Sequence, residues 1–240
     1  MALAVCLREA VSLAGRFPVL SGATIAVREG EVVHLSGANG AGKTSLLRAC
    51  AGLLRVVSGE ATVLGHDLTT DRRAVRREVH LLGHSGFLYD ELTVQDNVRF
   101  AVRAAHGDVA RVPAALARLD LAGRLAGTPA GRLSLGQRRR CGLAVLLARS
   151  PRLWLLDEPH AGIDEAGRKL VDELIGEARA VGSTVLFASH ELEQARGVAD
   201  RTVELAGGRV LEVEVPPAPQ AAIDRPVRGS EDPVVDADVA

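Results

Sequence analysis

The feature that most constrains this fold is the segment Gly37–Thr44, which reads Gly-Ala-Asn-Gly-Ala-Gly-Lys-Thr. It follows an apolar strand predicted over 32–35 and precedes a helix predicted over about 43–51. Glycines at this spacing let backbone N–H groups turn inward around phosphate oxygens, and the helix directs its positive end at the same anion. Lys43 would neutralise the β and γ phosphates, while the Thr44 hydroxyl would hold Mg²⁺. The segment therefore predicts a phosphate loop rather than a chance glycine-rich turn.

A second constraint is the apolar run 153–156, which ends in Asp157 and Glu158. A uniformly apolar run is typical of a strand that is covered on both faces, as in a parallel sheet. Beside a phosphate loop, Asp157 is expected to hold the Mg²⁺ shell, and Glu158 to polarise the attacking water as a general base. Without the phosphate loop, the pair would be read as solvated acids that begin a turn at Pro159.

Two other polar positions each leave two interpretations open. Ser134-Leu135-Gly136-Gln137 begins a predicted helix, so Ser134 is either an ordinary N-cap or part of a second anion site that serves a nucleotide held by another chain. His190 follows the apolar strand 184–188. It is either a hydrogen-bonded surface histidine or a group that reaches the γ phosphate from the carboxyl end of the strand.

Apolar runs that alternate with helical patterns predict an α/β fold with a parallel sheet. The segment from about 84 to 150 is nearly all helical and forms a separate lobe in this prediction. Residues 216–240 hold five of the ten prolines and five acids against two bases, so we predict a disordered tail. The other predicted strands cover 23–27, 60–64, 79–82 and 184–188, with a turn at 29–31 and a hairpin at Gly207-Gly208. Three helices are predicted from their first residues: one is capped by Thr93, one begins at Pro113 and one is capped by Ser134. Two more helices are predicted over 165–181 and 191–197.

Composition excludes several classes of protein. The net charge of −1 provides no general field for nucleic acid, and we expect no nucleic-acid partner. No run approaches the roughly 18 apolar residues of a membrane span, and the N-terminus lacks a secretory pattern. Cys6, Cys50 and Cys141 are far apart and odd in number, which indicates small core residues in a reducing compartment.

With these motifs in order, the chain resembles an ATP-binding cassette protein over residues 2–215. The resemblance rests on the phosphate loop, Leu133–Gln137, the strand ending in Asp157-Glu158, the segment Ala161–Asp164 and His190. It implies a phosphate-loop cassette at 1–215 with a RecA-like parallel-sheet core, an antiparallel β subdomain and a helical signature lobe. It also implies an ATPase that uses Mg²⁺, and two chains that meet head to tail with each ATP between one phosphate loop and the other chain's signature segment. The site residues it implies are Gly37, Ala38, Asn39, Gly40, Ala41, Gly42, Lys43, Thr44, Ser45, His84, Ser134, Gly136 and Gln137 for the nucleotide, Thr44 and Asp157 for the metal, and Glu158, Asp164 and His190 for catalysis.

Two positions depart from the family pattern. Where cassettes usually carry a Gln about nine residues before a Leu-Thr pair, this chain has His84, which either hydrogen-bonds water or phosphate or is a turn residue. The N-terminal aromatic residue that usually stacks on adenine is not distinct, so Phe17, Arg16 and Leu13 all remain candidates.

The finer resemblance is to the ATP-binding subunit of the haem exporter of cytochrome c biogenesis. It rests on Gly83-His84, the run from Leu153 to Pro159, Arg138–Arg140 and Ile163. It implies a peripheral subunit on the cytoplasmic face of the inner membrane. This subunit pairs with a second copy of itself and energises a separate integral-membrane subunit. Export of a drug or lipid is the alternative within this class, and a soluble cassette protein is the alternative outside it.

Overall fold

A computed structural model describes residues 2–83, 87–190 and 197–211, which form two β-sheets and six α-helices. The strands are β1 (Leu3–Ala14), β2 (Phe17–Arg28), β3 (Val32–Ser36), β4 (Val56–Val63), β5 (His66–Asp67), β6 (Val79–Leu82), β7 (Leu153–Asp157), β8 (Thr184–Ala188), β9 (Arg201–Ala206) and β10 (Arg209–Val210). The helices are α1 (Lys43–Cys50), α2 (Leu68–Asp71), α3 (Val94–Ala104), α4 (Val112–Arg118), α5 (Leu135–Arg149) and α6 (Glu165–Ala180). This is the predicted α/β cassette fold.

The antiparallel sheet has the strand order β2-β1-β4-β5. The sequence pattern predicted a strand only from residue 23, but β2 begins at Phe17, and its partner β1 was not predicted. Irregularities in the register between β1 and β2 explain the omission, because each one breaks the alternation of apolar and polar residues. At one of them Glu9 adopts a left-handed backbone conformation with φ of 47°.

The second sheet has the order β10-β9-β3-β8-β7-β6 and is parallel except for the β9–β10 hairpin. That hairpin turns at Gly207-Gly208, as predicted. Because β3, β7 and β8 run in the same direction, their carboxyl ends meet at one edge of the sheet. The phosphate-loop segment, the acidic pair and His190 all follow these strand ends.

The uniformly apolar strand β7 packs on both faces. Leu153 and Leu155 belong to the apolar cluster formed with α1 and the antiparallel sheet. Trp154 and Leu156 belong to a second cluster formed with α3, α4, α5 and α6. Burial of each of these side chains contributes about 1.5–3 kcal/mol, so β7 is held rigidly where it ends in Asp157.

The helical part matches the sequence prediction closely. Thr93 caps α3 by accepting a 3.1 Å hydrogen bond from Asp96 N, and Pro113 lies in the first turn of α4. Ser134 and Gln137 form a reciprocal capping box at the start of α5. Predicted helix 165–181 ends one residue earlier, at Ala180.

The three cysteines differ in how deeply they are buried. Cys50 and Cys141 are fully buried as free thiols, and burial raises their pKa values to about 12 and about 11. These values make both thiols unreactive at neutral pH. Cys6 is only partly buried, which corrects the prediction of a core position.

Three predictions lie outside the described residues: His84 as a nucleotide contact, most of the helix over 191–197, and the disordered tail over 216–240. In the part of the chain that the structure describes, no helix has both the length and the apolar character needed to cross a bilayer.

Candidate functional site

The loop between β3 and α1 has a backbone that requires glycine at two positions. Gly37 has φ of 133°, and a Cβ there would lie 2.2 Å from Leu205 O. Gly42 has φ of 108°, and its Cβ would lie 3.0 Å from Val19 O. The loop thus folds tightly against the β9–β10 hairpin, and its compact turn brings backbone N–H groups together before α1.

The Lys43 side chain folds back along this loop. Its Nζ donates a 2.6 Å hydrogen bond to Gly37 O and a 3.2 Å hydrogen bond to Ala38 O. The side chain is 7% exposed, so the ammonium group lies inside the curve of the loop. A compact cation at this position suits the oxygens of a phosphate group.

The next residue along the chain connects the loop to β7. Thr44 Oγ1 lies 3.1 Å from Asp157 Oδ1 and 2.9 Å from Asp157 Oδ2. The structure therefore brings together the two side chains that the sequence assigned to Mg²⁺. A hydroxyl and a carboxylate supply the hard oxygen donors that this ion prefers, so the donor set fits it.

Glu158 follows Asp157 in the chain and adopts a left-handed backbone conformation with φ of 50°. Its N–H donates a 2.9 Å hydrogen bond to Ala188 O at the end of β8. This conformation is uncommon for a residue with a side chain. Glu158 Oε1 lies 2.8 Å from His190 Nδ1, so the predicted base and the predicted histidine are in direct contact.

These groups surround one cleft of about 530 Å³. Its floor is the phosphate-loop segment, its acidic side is Asp157 and Glu158, and its other side comes from the start of β2 and the β9–β10 turn. Phe17, at the start of β2, is 77% exposed. The lining residues are Pro18, Val19, Asn39, Gly40, Ala41, Gly42, Lys43, Thr44, Ser45, Asp157, Glu158, Gly207 and Gly208.

The second predicted anion site is separate from this cleft. None of the described lining residues belongs to 134–137. Ser134 Oγ accepts a 3.2 Å hydrogen bond from Gln137 N, and Gln137 Oε1 accepts a 3.0 Å hydrogen bond from Ser134 N. The neighbouring Leu135 is 82% exposed. Ser134 is thus an N-cap, as the first interpretation predicted. The start of α5 is also exposed, as the second interpretation, an anion site for another chain, requires.

Asp164 is also outside the cleft lining. Its Oδ1 accepts a 2.9 Å hydrogen bond from Gly167 N and so caps α6. His160, four residues earlier, is buried and pairs with Asp172 Oδ1 at 2.9 Å through Nε2. The segment between β7 and α6 is therefore attached to α6 at two points.

Sequence reasoning gave no role to two buried polar side chains beside the cleft. His34 in β3 contacts Ser189 O at 2.9 Å through Nε2, and burial lowers its pKa. Arg139 in α5 is 9% exposed and donates hydrogen bonds to main-chain carbonyls around the acidic pair. The burial of Arg139 could have been predicted from helical spacing, because Arg139 lies on the same buried face of α5 as Leu143 and Leu146.

Known proteins share both the sequence and the fold. Residues 20–161 match the model of the ABC transporter family. The chain is 40% identical to the "Cytochrome c biogenesis ATP-binding export protein CcmA" of Bordetella bronchiseptica, over 75% of this chain and 80% of that protein. The CcmA protein of Methylococcus capsulatus is 40% identical over 75% of this chain and 87% of its own. A sulfate/thiosulfate import ATP-binding protein of Chromobacterium violaceum is 38% identical over 84% of this chain and 56% of its own.

Solved structures agree. An ATP-binding subunit of an ABC transporter superposes with a TM-score of 0.79 at 27% identity, over 86% of this chain and 87% of its own. The cassette MJ0796, solved as a dimer, superposes with a TM-score of 0.80 at 23% identity, over 87% of this chain and 97% of its own. The match of the family model, the identity to the relatives and the phosphate-binding geometry lead to one conclusion: this chain belongs to the ABC transporter family and is an ATP-hydrolysing ATP-binding cassette.

Proposed function

We propose that this cassette energises export in cytochrome c biogenesis, with haem as the substrate, through a separate integral-membrane subunit. The proposal that ATP hydrolysis drives this export rests on the cleft that Lys43, Thr44, Asp157 and Glu158 line together. Support for the pathway comes from the printed names of the relatives that are 40% identical over most of both chains. In this proposal the protein is a peripheral subunit on the cytoplasmic face of the inner membrane.

The geometry of the cleft supports a role in hydrolysis for each of these groups. Gly37, Ala38, Asn39, Gly40, Ala41, Gly42 and Ser45 form the loop and first turn that receive the phosphates, and Lys43 neutralises their charge. Glu158 holds the attacking water and accepts its proton, since its carboxylate faces the cleft from a fixed backbone. His190 orients that carboxylate through the 2.8 Å contact and donates toward the γ phosphate when nucleotide is bound.

Thr44 and Asp157 would hold Mg²⁺ in this site. There the ion would supply positive charge to offset the negative charge that develops on the phosphates during hydrolysis. The 2.9 Å contact between the two side chains keeps both oxygens on the phosphate side of the cleft.

A second copy of the chain completes the nucleotide site in this proposal. The first turn of α5 offers outward backbone N–H groups and the Ser134 hydroxyl, which suit the γ phosphate of a nucleotide held by the other copy. Gly136 and Gln137 belong to the same turn. Asp164 would support this contact by fixing the start of α6 beside the interface. His84 is proposed as a further contact to water or phosphate.

The adenine ring is proposed to stack on Phe17. Phe17 precedes the cleft residues Pro18 and Val19 and is 77% exposed. Leu13 is 39% exposed, pairs with Pro18 across the hairpin, and presents no ring for stacking.

The membrane subunit is proposed to insert a short cytoplasmic helix into a groove of about 380 Å³ between α3, α5 and β6. The groove is bordered by Phe87 and Tyr89, which are 73% and 52% exposed. Tyr89 meets Phe100 edge to face, with ring centroids 5.2 Å apart. Exposed aromatic side chains around an apolar groove are typical of helix-in-groove recognition. The groove lining includes Leu82, the last residue of β6.

One experiment tests both halves of the proposal. Glu158→Gln should bind MgATP normally and hydrolyse it at least ~100-fold more slowly, which is the lower range for a general base. The same variant, purified from membranes, should retain ATP-bound dimers together with the integral-membrane chains of cytochrome c maturation. Turnover near that of wild type would refute the assignment of Glu158. Co-purification with drug or lipid exporter chains would refute the assignment of the pathway.

The groove has its own test. Phe87→Glu should abolish co-purification of the membrane subunit while nucleotide affinity is unchanged. Val181→Glu is the matched control, because Val181 is 76% exposed and lies outside the groove. Intact assembly of Phe87→Glu would refute docking at this groove.

A further inference from the structure

Arg139 is bonded to the main chain of two strand ends at once. Its Nη1 donates a 2.9 Å hydrogen bond to Gly83 O, just after β6. Its Nη2 donates to Asp157 O at 3.2 Å and to Glu158 O at 2.5 Å, at the end of β7. Its Nε donates to Pro159 O at 3.4 Å. One guanidinium group thus holds four carbonyls around the acidic pair.

These bonds restrain the residue whose backbone is least favourable. The left-handed conformation of Glu158 costs free energy unless its surroundings hold it in place. The Glu158 N–H is bonded to Ala188 O, and the Glu158 carbonyl is bonded to Arg139 Nη2. The peptide groups on both sides of the Glu158 side chain are therefore fixed. One is held by β8, and the other by Arg139 together with the Ala161 N–H, which donates a 3.1 Å hydrogen bond to the same carbonyl.

Electrostatics explain why arginine suits this buried position. Burial lowers the pKa of Arg139, while the negative charges of Asp157 and Glu158 oppose that change. The guanidinium group is the one side chain that presents five N–H donors in a fixed plane and stays charged when buried. Lysine has a single nitrogen, and glutamine has a single NH₂ group and no charge, so neither can span four carbonyls.

We propose that Arg139 is a positioning residue for ATP hydrolysis, which fixes the backbone of Asp157-Glu158 and so aims the Glu158 carboxylate. The proposal rests on the proposed role of Glu158 as the base. Arg139 lies in the second turn of α5, the helix that Ser134 caps. The start of α5 and the aim of Glu158 are consequently joined through one side chain, so a shift of this helix relative to β7 alters the site of water attack.

The test separates kcat from nucleotide binding. Arg139→Gln and Arg139→Lys should lower kcat about 10²-fold, the size of loss expected when a catalytic group is misplaced by about 1 Å. The Kd for MgATP should stay within about twofold, because Arg139 does not line the cleft. Arg140→Gln is the matched control, since the neighbouring Arg140 reaches outward to Asp120, and its kcat should equal that of wild type.

A double-mutant cycle distinguishes positioning from a general loss of structure. In the Glu158→Gln background, Arg139→Gln should change the residual rate by less than twofold, because there is no base left to aim. Full additivity of the two losses, a kcat for both Arg139 variants close to wild type, or a Kd that rises in step with the loss of kcat would each overturn the proposal. If Arg139→Gln does not fold, Arg139→Lys decides it in the same cycle. An active Glu158→Gln protein would overturn the base assignment along with this inference, whereas an inactive Glu158→Gln and an active Arg139→Gln would overturn this inference alone.

Discussion

Acid should destabilise this protein through His80. His80 lies on β6 in the wall of the groove, where its Nδ1 accepts a 2.6 Å hydrogen bond from Arg149 Nη1. Removal from water, together with the Arg149 guanidinium group, lowers the pKa of His80 from 6.5 to about 3. Below pH 6.5 the unfolded chain therefore takes up a proton that the folded chain does not. The free energy of unfolding must fall as the pH drops from 6.5 toward 3.

The size of the effect follows from the two pKa values. Each pH unit between them is worth about 1.4 kcal/mol, so His80 accounts for a loss of at most about 2 kcal/mol between pH 7 and pH 5. Urea unfolding of wild type and His80→Asn at both pH values measures it, because the Asn amide oxygen still accepts from Arg149 but does not titrate. Wild type should lose more stability than His80→Asn by up to that amount.

His106→Asn is the control for this measurement. His106 is exposed and has φ of 58°, a conformation that Asn adopts readily, so the variant should keep the pH dependence of wild type. If wild type and His80→Asn lose the same free energy, within about 0.5 kcal/mol, the neutral form of His80 does not control acid stability.

Three further outcomes are expected. Lys43→Ala should weaken nucleotide binding or stop hydrolysis, since it removes a charge-assisted phosphate contact; titration with a fluorescent ATP analogue measures this, and unchanged affinity with unchanged turnover would contradict the assignment. Phe17→Ala should weaken binding of ATP by about 1–3 kcal/mol if the ring stacks on adenine, while tripolyphosphate binding, which needs no base contact, stays the same. Truncation after Val215 should leave the melting temperature and ATPase rate almost unchanged, because the segment 216–240 is rich in proline and acids and has no leucine, methionine or aromatic residue; a large loss of either would show that it packs on the body.

The nucleotide site could be predicted from sequence because its parts are local. Glycine spacing marks the segment 37–44 in the sequence, and Thr93 and Ser134 cap their helices through side chains three residues from their partners. The uniformly apolar strand β7 likewise indicated a doubly covered parallel sheet, and therefore the edge at which Asp157 emerges. Strand β1 escaped prediction because its bulges disturb the alternation on which such predictions depend.

What the sequence determined, then, is the set of candidate phosphate-binding and acidic groups, since each belongs to a short segment with its own chemistry. Only the tertiary structure decided which of them meet: Thr44 with Asp157 across 113 positions, Glu158 with His190 across 32, and Arg139 with the carbonyls that follow β6 and β7. Such contacts depend on strand order and on the direction of the sheet, which bring together residues far apart in the chain. The partners of a buried arginine that bonds main-chain carbonyls cannot be recognised in the sequence, because every residue carries a carbonyl group.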